Sequence, residues 1–66
     1  MDRLPRDPAI LVSSVNMLLR DEEFDSLDAL AYCFGTTAAE LQAYLLPFGF
    51  VYSEEQHQFR PIGYNL

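Results

Sequence analysis

The sequence contains no lysine. Its positive charge rests on four arginines against ten acidic residues, and the formal net charge is −6. A field of that sign repels phosphate backbones and anionic lipid headgroups, so composition argues against nucleic acid and against a charged membrane surface as partners. Cysteine is nearly absent as well. Cys33 stands alone, which excludes an internal disulfide and fits a reducing compartment. No apolar run approaches the roughly 20 residues that cross a bilayer. The N-terminus MDRLPRDP is charged and carries proline, unlike a secretory leader. Together these absences make the cytoplasm the expected location and a membrane role unexpected. Internal repeats and low-complexity tracts are also missing.

What remains is a short chain rich in apolar side chains. Its 66 residues suffice for one domain, and half of them are hydrophobic. A domain of this size buries only about 60% of the surface its unfolded chain exposes. Five phenylalanines and four tyrosines are more than so small a core hides with ease, so some apolar surface should face a partner or a second copy.

Local signals divide the chain cleanly. Asp7-Pro8 reads as an N-cap followed by proline at the first helical position, and the helix should run to about Arg20. Leu11, Val15, Leu18 and Leu19 form its apolar stripe, broadened by Ile10 and Val12. Asp21 to Asp25 is an acidic loop in which Phe24 can pack ahead of the next helix. Ser26 with Asp28 opens a second helix that Gly35 closes. Thr37 and Glu40 fit a capping box for a third helix ending near Leu46, just before Pro47 and Gly49. Phe50-Val51-Tyr52 and His57-Gln58-Phe59-Arg60 then suggest a hairpin around Ser53–Gln56, leaning on the helices through Phe50 or Tyr52 and Phe59. The expected domain covers residues 1–60, with 61–66 as a tail.

The expected fold is therefore mainly α: a three-helix, helix-turn-helix core with a small C-terminal β-hairpin, in the order of a reduced winged helix. Leu27, Leu30, Ala31, Gly35, Thr37, Leu41, Tyr44 and Leu45 carry the spacing of two short crossing helices. Such a pair suggests a DNA reader, yet Ser26 to Leu46 holds no lysine or arginine. In the third helix only Thr37, Glu40 and Gln42 are polar. Gln42 could address a base, but nothing would hold the phosphates.

Several stretches resemble a known family. They are Leu4-Pro5-Arg6-Asp7-Pro8, Ile10-Leu11, Ser13, Val15-Asn16, Leu19-Arg20-Asp21 and Ser26-Leu27-Asp28, followed by Gly49-Phe50-Val51-Tyr52, Glu54-Glu55-Gln56 and Gln58-Phe59. Together they are similar to the bacterial family termed domain of unknown function 4250, from Leu4 to Phe59. The resemblance implies a small intracellular bacterial domain with a helical body and carries no activity. Leu18 stands where the family pattern has lysine, His57 where it has asparagine, and residues 60–66 are additional. Losing that lysine weakens a nucleic-acid role further.

Candidate sites follow from chemistry and spacing. Ser13, Asn16 and Arg20 share one helical face, with Asp21 beside them. The reading favoured is structural: bonds to a neighbouring loop and to carboxylates such as Asp25 or Asp28. His57 beside Glu54 and Glu55 lacks the further ligands a metal needs, and a solvent-facing position is expected. Cys33 has no base or positive charge nearby in sequence and reads as packed or half-buried. The acidic run Asp21-Glu22-Glu23-Phe24-Asp25 lacks calcium-loop spacing. The aromatics Phe48, Phe50, Tyr52 and Tyr64 are the candidates for partner contact. The sequence thus predicts no catalytic residue, no cofactor and no metal. It favours a non-catalytic protein-interaction module, with self-association into a homodimer as one form. A helix-turn-helix DNA-binding regulator is the alternative.

Overall fold

The computed structural model describes residues 4–63. Three helices precede a two-stranded antiparallel hairpin: α1 (Pro8–Arg20), α2 (Leu27–Cys33), α3 (Ala38–Leu45), a 3-10 turn at Leu46–Phe48, β1 (Phe50–Ser53) and β2 (Gln58–Pro61). The chain is mainly α with a small β-hairpin, as its sequence predicts.

Each helix starts at the side chain expected to cap it. The Asp7 carboxylate accepts from the N–H groups of Ala9 and Ile10 at 3.0 and 3.2 Å. Ser26 Oγ accepts from Ala29, and Thr37 Oγ1 from Glu40, both at 3.1 Å. A donor with no intrahelical partner is satisfied in every case. Only half of the expected capping box forms. The Glu40 carboxylate accepts the Thr36 hydroxyl at 2.6 Å rather than reaching back to the Thr37 backbone.

The ends of α1 and α2 share one motif. After α2, Gly35 takes φ +78°, its N–H bonds Tyr32 and the Thr36 N–H bonds Ala31. After α1, Glu22 takes φ +60°, its N–H bonds Leu19 and the Glu23 N–H bonds Leu18. Both are Schellman closures, which favour glycine at the left-handed position. One has it and the other does not. Glu22→Gly is therefore expected to raise stability by about 0.5–1 kcal/mol, and Gly35→Ala to lower it by about 1 kcal/mol. Urea titrations of both variants check this, and equal signs for the two would refute it.

Pro47 is absorbed by the 3-10 turn, and Gly49 at φ +89° turns the chain into β1. His57, at φ +55°, sits in the tight turn between the strands. Asparagine occupies that conformation more readily than histidine. Phe50 pairs with Pro61, Val51 with Arg60, Tyr52 with Phe59 and Ser53 with Gln58. The Ile62 N–H also bonds Gly49 at 2.7 Å. The ladder thus runs past Arg60 to Pro61 and Ile62.

Among the described residues ten side chains form the core: Leu11, Val12, Val15, Leu19, Leu27, Leu30, Ala31, Leu41, Leu45 and Phe59. Ile10 lies outside it at 56% exposure. The buried stripe of α1 is completed by Val12, while Leu18 is half-buried against the core. Phe24 packs as expected, edge-on to Phe34 with ring centroids 6.2 Å apart.

Candidate functional site

The predicted polar cluster does not assemble. Ser13 is exposed, and among the described residues Arg20 pairs with its neighbour Asp21, at 3.8 Å and with both side chains well exposed. Asp25 and Asp28 make no ion pair with it, although Arg20 and Asp25 border the same open groove. A pair of this kind contributes little.

Asn16 differs from the other three. Its Nδ2 donates to the Phe59 carbonyl at 3.1 Å, and its Oδ1 accepts the Phe59 N–H at 2.7 Å. Gln58 Nε2 donates to the Asn16 carbonyl at 3.0 Å. One carboxamide therefore stands in for a neighbouring strand and satisfies both backbone groups of Phe59. Successive residues of an antiparallel strand point their backbone groups to opposite edges. Phe59 faces outward on β2, and α1 closes that edge.

The candidate partner-binding aromatics divide by element, Phe48 lying in the 3-10 turn and Phe50 and Tyr52 on one face of β1. Phe48 is 54% exposed. Phe50 and Tyr52 turn inward, half-buried against the core, and the Tyr52 ring meets Phe59 edge-on at 5.2 Å. Burial, then the carboxylates of Glu54 and Asp28, raises the Tyr52 phenol above its ordinary ionisation range, which favours the neutral form. Tyr64 lies outside the described residues.

Exposed apolar side chains recur from the end of α3 through the hairpin, and most were not singled out from sequence. Tyr44 and Phe48 bring their rings to 5.5 Å, and the Tyr44 hydroxyl donates to the Arg6 carbonyl at 2.7 Å. Leu46 is exposed in the same turn, Val51 is 41% exposed on β1, and Ile62 is exposed beyond β2. Val51 and Ile62 share the outer face of the hairpin, because Val51 pairs with Arg60 and Ile62 bonds Gly49 one row away. Strand alternation between Phe50 and Tyr52 was the available signal for Val51.

The remaining candidates stay apart. Cys33 is exposed rather than packed, since the buried residues of α2 are Leu27, Leu30 and Ala31 and the last turn points it away from them. His57 is exposed. It borders two open polar grooves of about 880 and 830 Å³, one beside Arg20 and Asp25 and the other beside Asp28 and Glu54. Among the described residues no three His, Cys, Asp or Glu side chains are grouped to hold a metal ion. The outward residues of α3 are Ala39, Glu40, Gln42, Ala43 and Tyr44, none of them basic. No described helix is long and apolar enough to cross a membrane.

A family model described as a domain of unknown function, DUF4250, matches residues 5–59. No curated protein and no solved structure matches the chain.

Proposed function

Since the chain belongs to the domain of unknown function 4250 family, whose description carries no activity, we propose from its surface that it is a non-catalytic protein-interaction module. Its working face is the apolar surface formed by Tyr44, Leu46, Phe48, Val51 and Ile62. The observation that carries this reading is that all five are exposed along the stretch from the end of α3 through the hairpin, with Tyr44 in ring contact with Phe48 and Val51 sharing the outer hairpin face with Ile62. Apolar side chains left facing water in a group cost solvation that a partner recovers on covering them. Aromatic anchors such as Phe48 and Tyr44 contribute most to such contacts, because each removes a large rigid area from water. The acidic field does not oppose this mode, since none of the five is charged. It does oppose a phosphate backbone on α3, where no arginine or lysine would meet it.

A photoreactive benzophenone side chain at position 48 of the full chain, expressed in its own cells, tests the reading. Irradiation is expected to yield covalent protein adducts from position 48 and none from the exposed control position Asp28. Equal labelling from both positions, or none from 48, would remove the basis of the proposal.

A further inference from the structure

The hairpin has two edges, and they are treated differently. On β2, the outward N–H and C=O of Phe59 are bonded by Asn16, and Pro61 removes a further donor. By the same alternation the outward backbone groups of β1 belong to Phe50 and Tyr52. Among the described residues none of these four groups makes a hydrogen bond. Edge strands are ordinarily protected by charge, proline or a covering element. From Gly49 to Ser53, β1 carries no charge and no proline.

We propose that β1 pairs antiparallel with β1 of a second copy of this chain, about a twofold axis at Val51, giving one four-stranded sheet in the order β2-β1-β1-β2. The proposal rests on the interaction-module reading and names its partner. Only one register uses every free group. Phe50 of one copy exchanges both backbone bonds with Tyr52 of the other, and the twofold repeats the exchange. All four groups on each edge are then satisfied with none left over. Val51 falls opposite Val51 of the second copy in a closely spaced, non-hydrogen-bonded position, where β-branched side chains pair well. Each Glu54 lies at the opposite end of the new ladder from the other Glu54, so the pairing does not set like charges together.

The register predicts a covalent test. Val51 Cα atoms related by the twofold would lie about 4.5 Å apart, within disulfide reach. Two Ser53 residues would lie four residue steps apart along the ladder, about 13 Å, and out of reach. In a Cys33→Ser background, Val51→Cys is expected to convert to a disulfide-linked dimer under oxidised glutathione, and Ser53→Cys to remain mostly monomeric. Light scattering of the parent protein is expected to give twice the 7.6 kDa of one chain. Val51→Asp, at an exposed position, is expected to give the monomer mass while keeping the helical circular dichroism of the parent. A monomeric parent, or equal crosslinking at positions 51 and 53, overturns the pairing. In that event protein adducts from position 48 still decide the interaction-module reading independently, because they report any partner.

Discussion

Asn16→Ala is expected to release the hairpin from the helices. The substitution removes both bonds to the Phe59 backbone in a part-buried position. Each buried polar group left without a partner costs about 1–3 kcal/mol, so a loss of about 2–4 kcal/mol is expected after relaxation. A domain of this size holds only about 3–5 kcal/mol of net stability. The thermal midpoint should therefore fall by at least about 8 °C, given about 4–8 °C per kcal/mol at this length. Hydrogen exchange gives the more specific readout. The Phe59 amide is expected to be protected in the parent and to exchange rapidly in the variant, while amides in the middle of α1 lose less protection. Asn16→Asp keeps an acceptor for the Phe59 N–H but loses the donor to its carbonyl, and should fall between the two. A thermal midpoint within about 2 °C of the parent for Asn16→Ala would show that the carboxamide does not hold the strand.

That same residue marks how far the sequence could be read. The caps at Asp7, Ser26 and Thr37 and the glycines at 35 and 49 act over four residues or fewer, so their signals are local and all of them appear in the fold. Asn16 acts on Phe59, 43 residues away. Spacing along α1 identifies its helical face, but not the strand edge that comes to lie beside that face. Ile10 and Val12 show the same limit at the margin of the apolar stripe. Periodicity includes both, and only the placement of the neighbouring elements decides that Val12 is covered and Ile10 is not. Glu22 hid a helix closure because the expected glycine is absent there.

The surface was legible in kind and less so in detail. An apolar excess in a short acidic chain predicts exposed hydrophobic side chains, and eight large ones are exposed among the described residues. Which aromatics they would be depended on strand alternation. Phe50 and Tyr52 fall on the inner face, so the outward position between them belongs to Val51. The proposed surface therefore rests on fewer aromatics and more aliphatic side chains than composition alone suggests. Its aromatic members are Tyr44, in the last turn of α3, and Phe48, in the 3-10 turn that Pro47 and Gly49 bound.

Phe59 and Phe48 should separate folding from binding in the same short segment. Phe59 is 1% exposed and is the largest of the fully buried side chains, bounded by the Tyr52 ring. Truncating it removes aromatic burial and leaves a cavity that a three-helix body cannot readily collapse, at a cost of about 3–5 kcal/mol. That matches the whole net stability of a domain this small. Phe59→Ala is accordingly expected to be largely unfolded at 25 °C, with helical circular dichroism lost and no cooperative melt. Phe59→Leu keeps most of the volume and should remain folded with a lower midpoint. Phe48→Ala removes a side chain that is already 54% exposed, so its stability should change by no more than about 0.5 kcal/mol. If the apolar surface is the working face, Phe48→Ala should also abolish the contacts captured from neighbouring positions such as Leu46. Stability lost equally in the two alanine variants would place Phe48 in the core and take the aromatic anchor away from the proposed surface.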